Sequence, residues 1–334
     1  MAASINEVRN TVLAIANKNN YGYISPQDFN LYAKQAQMDM FEDYFYQYNN
    51  WINKENNRTS GTEYANIVKG LVEVIDSFSA ETFLAKASPI NNTFSLPNDY
   101  YLINKLYYYS TPLFNGTTTA VAPNELQDNA AVGWTTIPAS APTPAIGSLV
   151  VNLSATPIEQ AYITGVQTAN ILELSDDIFK LIGEQYVIYS NTHIREVERV
   201  SQSKVFYLTN SMLTAPTTTY PCYVLGGASS NIATPLGVTG NTVTVYPSTI
   251  RNVGDIQAQY IRYPLDPKWT WTSLAGGEPL FNPGASDFQE FELPNSDEPT
   301  LIAKICQYIG IEIREDMVYK FGGTEETLDT QETS

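Results

Sequence analysis

The chain has 334 residues, with 35 Asp and Glu against 18 Lys and Arg and a single His, a formal net charge of −17. At 43% hydrophobic it can bury one large core or two ordinary ones, and with only 16% charged residues it fits a folded, interface-forming protein better than a disordered acidic chain. The acidity is spread out: residues 1–88 carry 7 basic and 10 acidic side chains, 89–296 carry 8 and 16, and 297–334 carry 3 and 9, so sequence-independent DNA binding and an anionic membrane surface are both disfavoured.

Residues 1–88 read as helices. Ile5, Val8, Val12 and Ile15 recur at helical spacing, and Asn17–Tyr23 makes a polar turn. The next helix has a well-marked start: Ser25 as N-cap, Pro26 at the first helical position, Asp28 reaching back as in a capping box, and Ile24 with Phe29 as a hydrophobic staple. Phe29, Ala33, Ala36, Met40, Tyr44, Tyr48 and Trp51 then form one stripe, with Tyr32, Phe41, Phe45 and Tyr46 outside it. A helix from Pro26 to Trp51 is roughly 40 Å long, more aromatic surface than one intramolecular neighbour covers. Phe29, Tyr32, Met40, Phe41, Tyr44, Phe45, Tyr48 and Trp51 are therefore expected at subunit contacts. A third helix is marked by Tyr64, Ile67, Leu71, Val74, Ile75 and Phe78.

From Phe94 the texture is β. Leu102–Tyr109, Tyr186–Tyr189, Val205–Leu208, Cys222–Leu225, Val243–Tyr246 and Ile256–Tyr263 read as strands between turn residues, and 111–160, rich in Thr, Ala and Pro, as a long inserted loop or flap. Asp297-Glu298-Pro299 opens a short helix with Leu301, Ile302, Ile305 and Ile309 on its buried face, ending at Gly310; Thr324–Ser334 reads as an acidic tail. The expected fold class is α+β: a helical hairpin or bundle over 1–88, a mainly antiparallel β domain over 89–296, and a C-terminal helix and tail over 297–334.

Recognisable chemistry is sparse. His193 has no second His for a metal and no G-x-S-x-G elbow beside it, so a surface or interface role is expected. No phosphate-cradling glycine motif occurs. Cys222 and Cys306 are too few for a disulfide scaffold or zinc site and read as small core residues. Asn17–Asp28 mimics a calcium loop at Asn17, Asn19, Gly22, Ile24, Ser25 and Asp28, but offers one carboxylate where calcium needs several. Asp176-Asp177, Glu196 with Glu198, and Asp287 with Glu290 and Glu292 are acidic clusters of the kind glycosidases pair, without a distinguishing neighbour. No cofactor, metal or catalytic residue is expected. Met1–Asn10 lacks the apolar core of a signal peptide, so the triplets beginning at Asn57, Asn91, Asn115 and Asn152 are not expected to be glycosylated, and folding in a cytosol is expected.

Three stretches carry a resemblance. They are Asn17-Lys18-Asn19-Asn20-Tyr21-Gly22-Tyr23-Ile24-Ser25-Pro26-Gln27-Asp28-Phe29-Asn30 with Ala33–Gln37; Val243-Thr244-Val245-Tyr246-Pro247 with Tyr260–Trp269; and Glu292-Leu293-Pro294 through Leu301–Ile305 to Gly310–Arg314. Together they resemble virion proteins of crAss-like bacteriophages and related podoviruses. The element order, with Leu96-Pro97-Asn98-Asp99-Tyr100 leading into a strand, is similar to head–tail adaptors of short-tailed phages. The resemblance covers most of the chain outside 111–160 and the acidic tail. It implies a non-enzymatic structural protein of the neck or tail, a homo-oligomeric ring of twelve copies matching a portal, contacting the portal and neighbouring ring proteins and letting genomic DNA pass without specific binding. The location implied is the virion, after assembly in the host cytoplasm. Tyr, at 23 copies, in a chain with only 16% charged residues supplies the interface-forming surface a ring needs. A receptor-binding or head-decorating protein is the alternative, and a polysaccharide depolymerase a more distant one.

Overall fold

The computed structural model describes residues 3–16, 24–57, 65–87, 92–110, 112–130, 134, 144–190, 194–226, 242–274 and 276–313, with the backbone alone for 51–57, 65–69 and 311–313. The helices are α1 (Ile5–Ala16), α2 (Pro26–Asn57), α3 (Ala65–Asp76), α4 (Gln202–Asn210) and α5 (Glu298–Ile313). The strands are β1 (Ser79–Phe83), β2 (Ala85–Lys86), β3 (Thr93–Ser95), β4 (Tyr100–Tyr109), β5 (Pro112–Thr117), β6 (Glu125–Gln127), β7 (Leu149–Asn152), β8 (Glu159–Thr168), β9 (Ile171–Leu174), β10 (Gln185–Tyr189), β11 (Ile194–Arg199), β12 (Cys222–Leu225), β13 (Thr242–Tyr246), β14 (Ile256–Arg262), β15 (Trp271–Ser273) and β16 (Pro279–Phe281). The class is α+β, as the sequence predicts. Contacts divide the chain into two compact units, 1–78 with 263–334, and 79–262.

In the helical unit, α2 starts where its cap predicts. The Asp28 N–H donates to Ser25 Oγ at 3.1 Å, the Ser25 hydroxyl donates to the Asp28 carboxylate, and Ile24 and Phe29 are buried beside them. The chain returns to these helices after Tyr263. Trp269 lies between α1 and α2: its indole N–H donates to Asn6 Oδ1 at 3.1 Å, its backbone exchanges two hydrogen bonds with the Asn30 amide, and the Arg9 guanidinium sits 3.9 Å over its ring. Gln37 likewise donates to Leu265 O at 2.7 Å and accepts from Glu292 N at 3.0 Å. Helix α5 packs on α1 and α2 through Leu301, Ile305 and Ile309. It continues through buried Gly310 to Ile313, because that packing outweighs the roughly 1 kcal/mol a helix-interior glycine costs.

The β unit contains two curled sheets. The first has the order β1-β14-β4-β11-β12-β13-β3-β2. Its two ends are joined through Leu84 alone, whose N–H donates to Ile256 O at 2.9 Å, so the sheet closes on itself around Phe94, Leu106, Val243, Val245, Ile256 and Ala258. The second has the order β5-β10-β7-β8-β9-β6. It closes in the same way, for the chain just past β5 reaches the far edge, where Thr119 N–H donates to Gln127 O at 2.9 Å. Its interior holds Leu126, Val150, Ala161, Ile163, Leu172 and Ile188. A third cluster joins the sheets: Phe83 and Tyr109 from the first meet Leu149, Val151, Val187 and Tyr189 from the second. Alternate residues of β7 and β10 thus face their own interior and the junction, which is why Leu149–Val151 and Tyr186–Tyr189 are unbroken buried runs.

Gly116 in β5 is a close approach rather than a flexible point. A Cβ there would lie 2.6 Å from Asp128 Oδ2 and 2.7 Å from Tyr186 Oη, between two buried groups that share a 2.7 Å hydrogen bond. Gly116→Ala is expected to lower stability by about 2 kcal/mol, read as a shift of the urea midpoint; an unchanged midpoint would show that this bond tolerates being pushed apart.

Several expectations are corrected. The segment 111–160 is not a loop or flap: it supplies β5, β6 and β7, three of the six strands of the second sheet, and the pattern is hidden because β5 has no fully buried residue and β6 only Leu126. Val205–Leu208 lies within helix α4, not a strand. β11 and β12 are adjacent and parallel, so the chain between them must cross over, and a short helix makes that crossing. The helical segment ends at Phe78 rather than residue 88, since Ser79–Lys86 are already strand, and 263–296 belongs with the helices because Trp269 and Leu265 are bound there. The acidic tail, Thr324–Ser334, lies outside the described residues.

Candidate functional site

The feature that best distinguishes the surface is the crossover between β11 and β12, residues 199–221. Helix α4 lies over β12 and buries a single side chain, Val205. Nine-residue helices are marginal in water and depend on packing, so one buried valine is little to hold it. The arm's large apolar side chains are otherwise uncovered: Phe206 is 66% exposed, Tyr207 75%, Met212 102%, Leu213 97% and Tyr220 80%. The loop behind the helix is ordered by its own backbone, with Ala215 N–H donating to Ser211 O at 2.9 Å and Thr217 and Tyr220 exchanging two hydrogen bonds. Exposed large apolar side chains gathered on one ordered arm mark a contact site.

Its charge is as unusual as its exposure. From Arg199 to Gly254 the chain carries Arg199, Lys204 and Arg251 and no acidic residue, which leaves all 35 Asp and Glu to the remainder. Sequence reasoning missed the arm because Val205-Phe206-Tyr207-Leu208 reads as a strand; the void in acidic residues was the available signal.

The residues expected at subunit contacts are placed differently. Phe29, Met40, Phe41 and Tyr44 are buried within the chain itself. Phe41 meets Phe78 and Phe45 edge-on, each at 5.1 Å, and the Tyr44 hydroxyl donates to Asp297, which with burial pushes that phenol's pKa up. Tyr32 is half-buried and stacks on Tyr308 at 6.2 Å. The physical reason is α5 and the returning segment, two intramolecular neighbours where the sequence reading allowed one. Phe45 and Tyr48 remain half-buried, and the Trp51 side chain lies outside the described residues.

The acidic clusters are dispersed into structural roles. Glu290 accepts the Ile5 N–H at 2.6 Å and so caps α1; Glu292 accepts the Leu265 N–H at 2.8 Å; Asp287 pairs with Lys268 at 2.5 Å, which draws its pKa down; Glu196 pairs with Lys105 at 3.3 Å. Asp176 and Asp177 are exposed on a turn. Both cysteines are buried, Cys222 in β12 and Cys306 on α5, and burial raises both thiols, Cys306 to about 12. His193, and Asn17–Tyr23 of the calcium-loop mimic, lie outside the described residues, while Ser25 and Asp28 of that mimic bind each other. Among the described residues, no three His, Cys, Asp or Glu are grouped to hold a metal, and no helix is long and apolar enough to cross a membrane. No protein-family model matches the chain, and no curated protein matches it.

Proposed function

We propose that the chain is a non-enzymatic virion structural protein that forms a ring in the head–tail connector or tail barrel of a short-tailed phage, joining portal to tail around a channel for the genome. The observation that carries this reading is the arm at 199–221, ordered, with its large apolar side chains uncovered and without a carboxylate, on a chain of net charge −17. Such a surface belongs to a protein that is completed by assembly. The resemblance to neck and tail proteins of crAss-like phages supplies the kind of assembly, twelve copies on a portal. The net charge of −17 suits a lumen through which DNA slides, since phosphates find few cations there; an inner wall lined with Lys and Arg would overturn that placement.

The test is the mass and symmetry of the purified protein, by light scattering and negative-stain imaging, with and without the portal. Twelve-fold annuli, alone or on the portal, are the expected result. A stable trimer indifferent to the portal would overturn the connector reading in favour of a receptor-binding or decorating protein.

A further inference from the structure

We propose that the arm at 199–221 docks onto a second copy of this chain, on the 175–184 turn of its second sheet. This deepens the assembly reading above and rests on it only in requiring that copies associate. Three observations select the occupant. First, α4 has one buried side chain of its own, so its order is completed by a neighbour. Second, the arm is the limb of an acidic protein that has cations and no carboxylates, with Arg199 and Lys204 exposed at its foot. Copies of a −17 chain repel one another over most of their surface, and the arm is where that repulsion turns to attraction. Third, the same unit carries a matching feature elsewhere. Leu181 and Ile182 are 68% and 70% exposed, and Asp176, Asp177 and Glu184 flank them. An apolar tip with cations at its foot thus meets an apolar pair on a turn where three carboxylates outnumber the one cation, Lys180, which is itself paired with Glu159 at 3.0 Å.

The contact is heterologous, since donor and acceptor are different surfaces of one subunit. Repeated, it makes a closed ring when the rotation per copy divides the circle. The tip residues, Met212 and Leu213, supply the desolvated centre; Arg199 and Lys204 supply register and encounter rate rather than most of the affinity.

The test compares the full chain with Met212→Asp/Leu213→Asp by light scattering across a concentration series, with and without the portal. Assembly of the variant is expected to need at least tenfold more protein, down to a monomer at concentrations where the unsubstituted chain is assembled. Far-UV circular dichroism and the melting temperature should be unchanged, because both side chains stand in solvent. A second measurement reports the acceptor. A mixture of Leu213→Cys protein with Ile182→Cys protein should form a mixed disulfide dimer under mild oxidant, whereas either protein alone should not; the native cysteines are buried. Retention of the oligomer by the Asp variant overturns the inference while leaving the ring reading standing. Loss of portal binding with self-association intact assigns the arm to a foreign partner and overturns it equally. A trimer that the variant dissolves upholds the arm and overturns the ring. Failure of the mixed disulfide removes the acceptor, and an unsubstituted chain that stays monomeric even with the portal overturns both readings.

Discussion

Trp269→Ala should abolish cooperative folding of the helical unit, or lower its stability by about 5 kcal/mol where folding survives. Trp269 is 2% exposed and lies in a stack, 6.0 Å from Trp271 and 5.7 Å from Phe281, with ring planes within 18°. Removing a buried aromatic costs about 3–5 kcal/mol through lost transfer energy and the cavity left behind. Two further groups each lose one contact here. The Arg9 guanidinium, 7% exposed, has the indole face 3.9 Å away, and Asn6 Oδ1 loses the indole N–H. Against a total of about 5–15 kcal/mol for a domain, the sum is disabling. Trp269→Phe keeps a ring in the stack and under the Arg9 guanidinium but loses the hydrogen bond and part of the buried ring surface, so it should cost about 2–3 kcal/mol. Urea denaturation followed by the helical circular dichroism signal separates the two. If Trp269→Ala moved the midpoint no further than Trp271→Ala, whose ring is half-buried, the returning segment would be an ornament on the helices and not part of their core.

That segment also marks where sequence ceases to be informative. Local signals are legible: the Ser25 cap, the α1 periodicity of Ile5, Val8 and Val12, and the strands at Cys222–Leu225 and Val243–Tyr246 stand where their residues indicate. What no local pattern encodes is that Leu265 and Trp269 come back to Gln37 and Asn30, more than 220 residues earlier. The aromatic stripe of α2 therefore looked unpartnered, and half of the residues assigned to subunit contacts proved to be core. The second sheet was hidden for another reason. Ala161 and Ile163 are its only fully buried β8 residues, and β5 has none, so neither strand shows a sustained apolar alternation. Closure of both sheets is legible only from pairing, since Leu84 and Thr119 carry no signature of standing at a seam. For the candidate site the composition held more than the periodicity did: the carboxylate-free stretch from Arg199 to Gly254 identifies the arm, whereas its apolar run suggests a strand.

The seam between the two sheets carries a pH dependence. Asp255 opens β14 beside it, 7% exposed, following Gly254, whose φ of +85° and crowding by Leu153 and Tyr189 hold the turn in a form that favours glycine. The Asp255 carboxylate accepts the Asn252 N–H at 3.0 Å, which with Lys86 favours the charged form, but burial dominates and raises its pKa from 3.8 to about 6; the tyrosines near it, Tyr108 and Tyr189, are raised partly by its charge. The folded chain therefore holds a proton that the unfolded chain releases at lower pH. Stability from this group is undiminished below about pH 4, falls as pH rises through about 6, and above that is lower by about 3 kcal/mol. Asp255→Asn keeps the acceptor without the charge. Its advantage over the unsubstituted chain should grow by about 1.5 kcal/mol between pH 5 and pH 8, the part of the penalty that falls in that window. Paired urea midpoints at the two pH values measure it, and the background of a −17 chain cancels in the comparison. Parallel pH slopes for the two proteins would mean that the carboxylate is hydrated, and that the junction opens to water at Asp255 where the packing of Val187, Tyr189 and Leu153 indicates a closed seam.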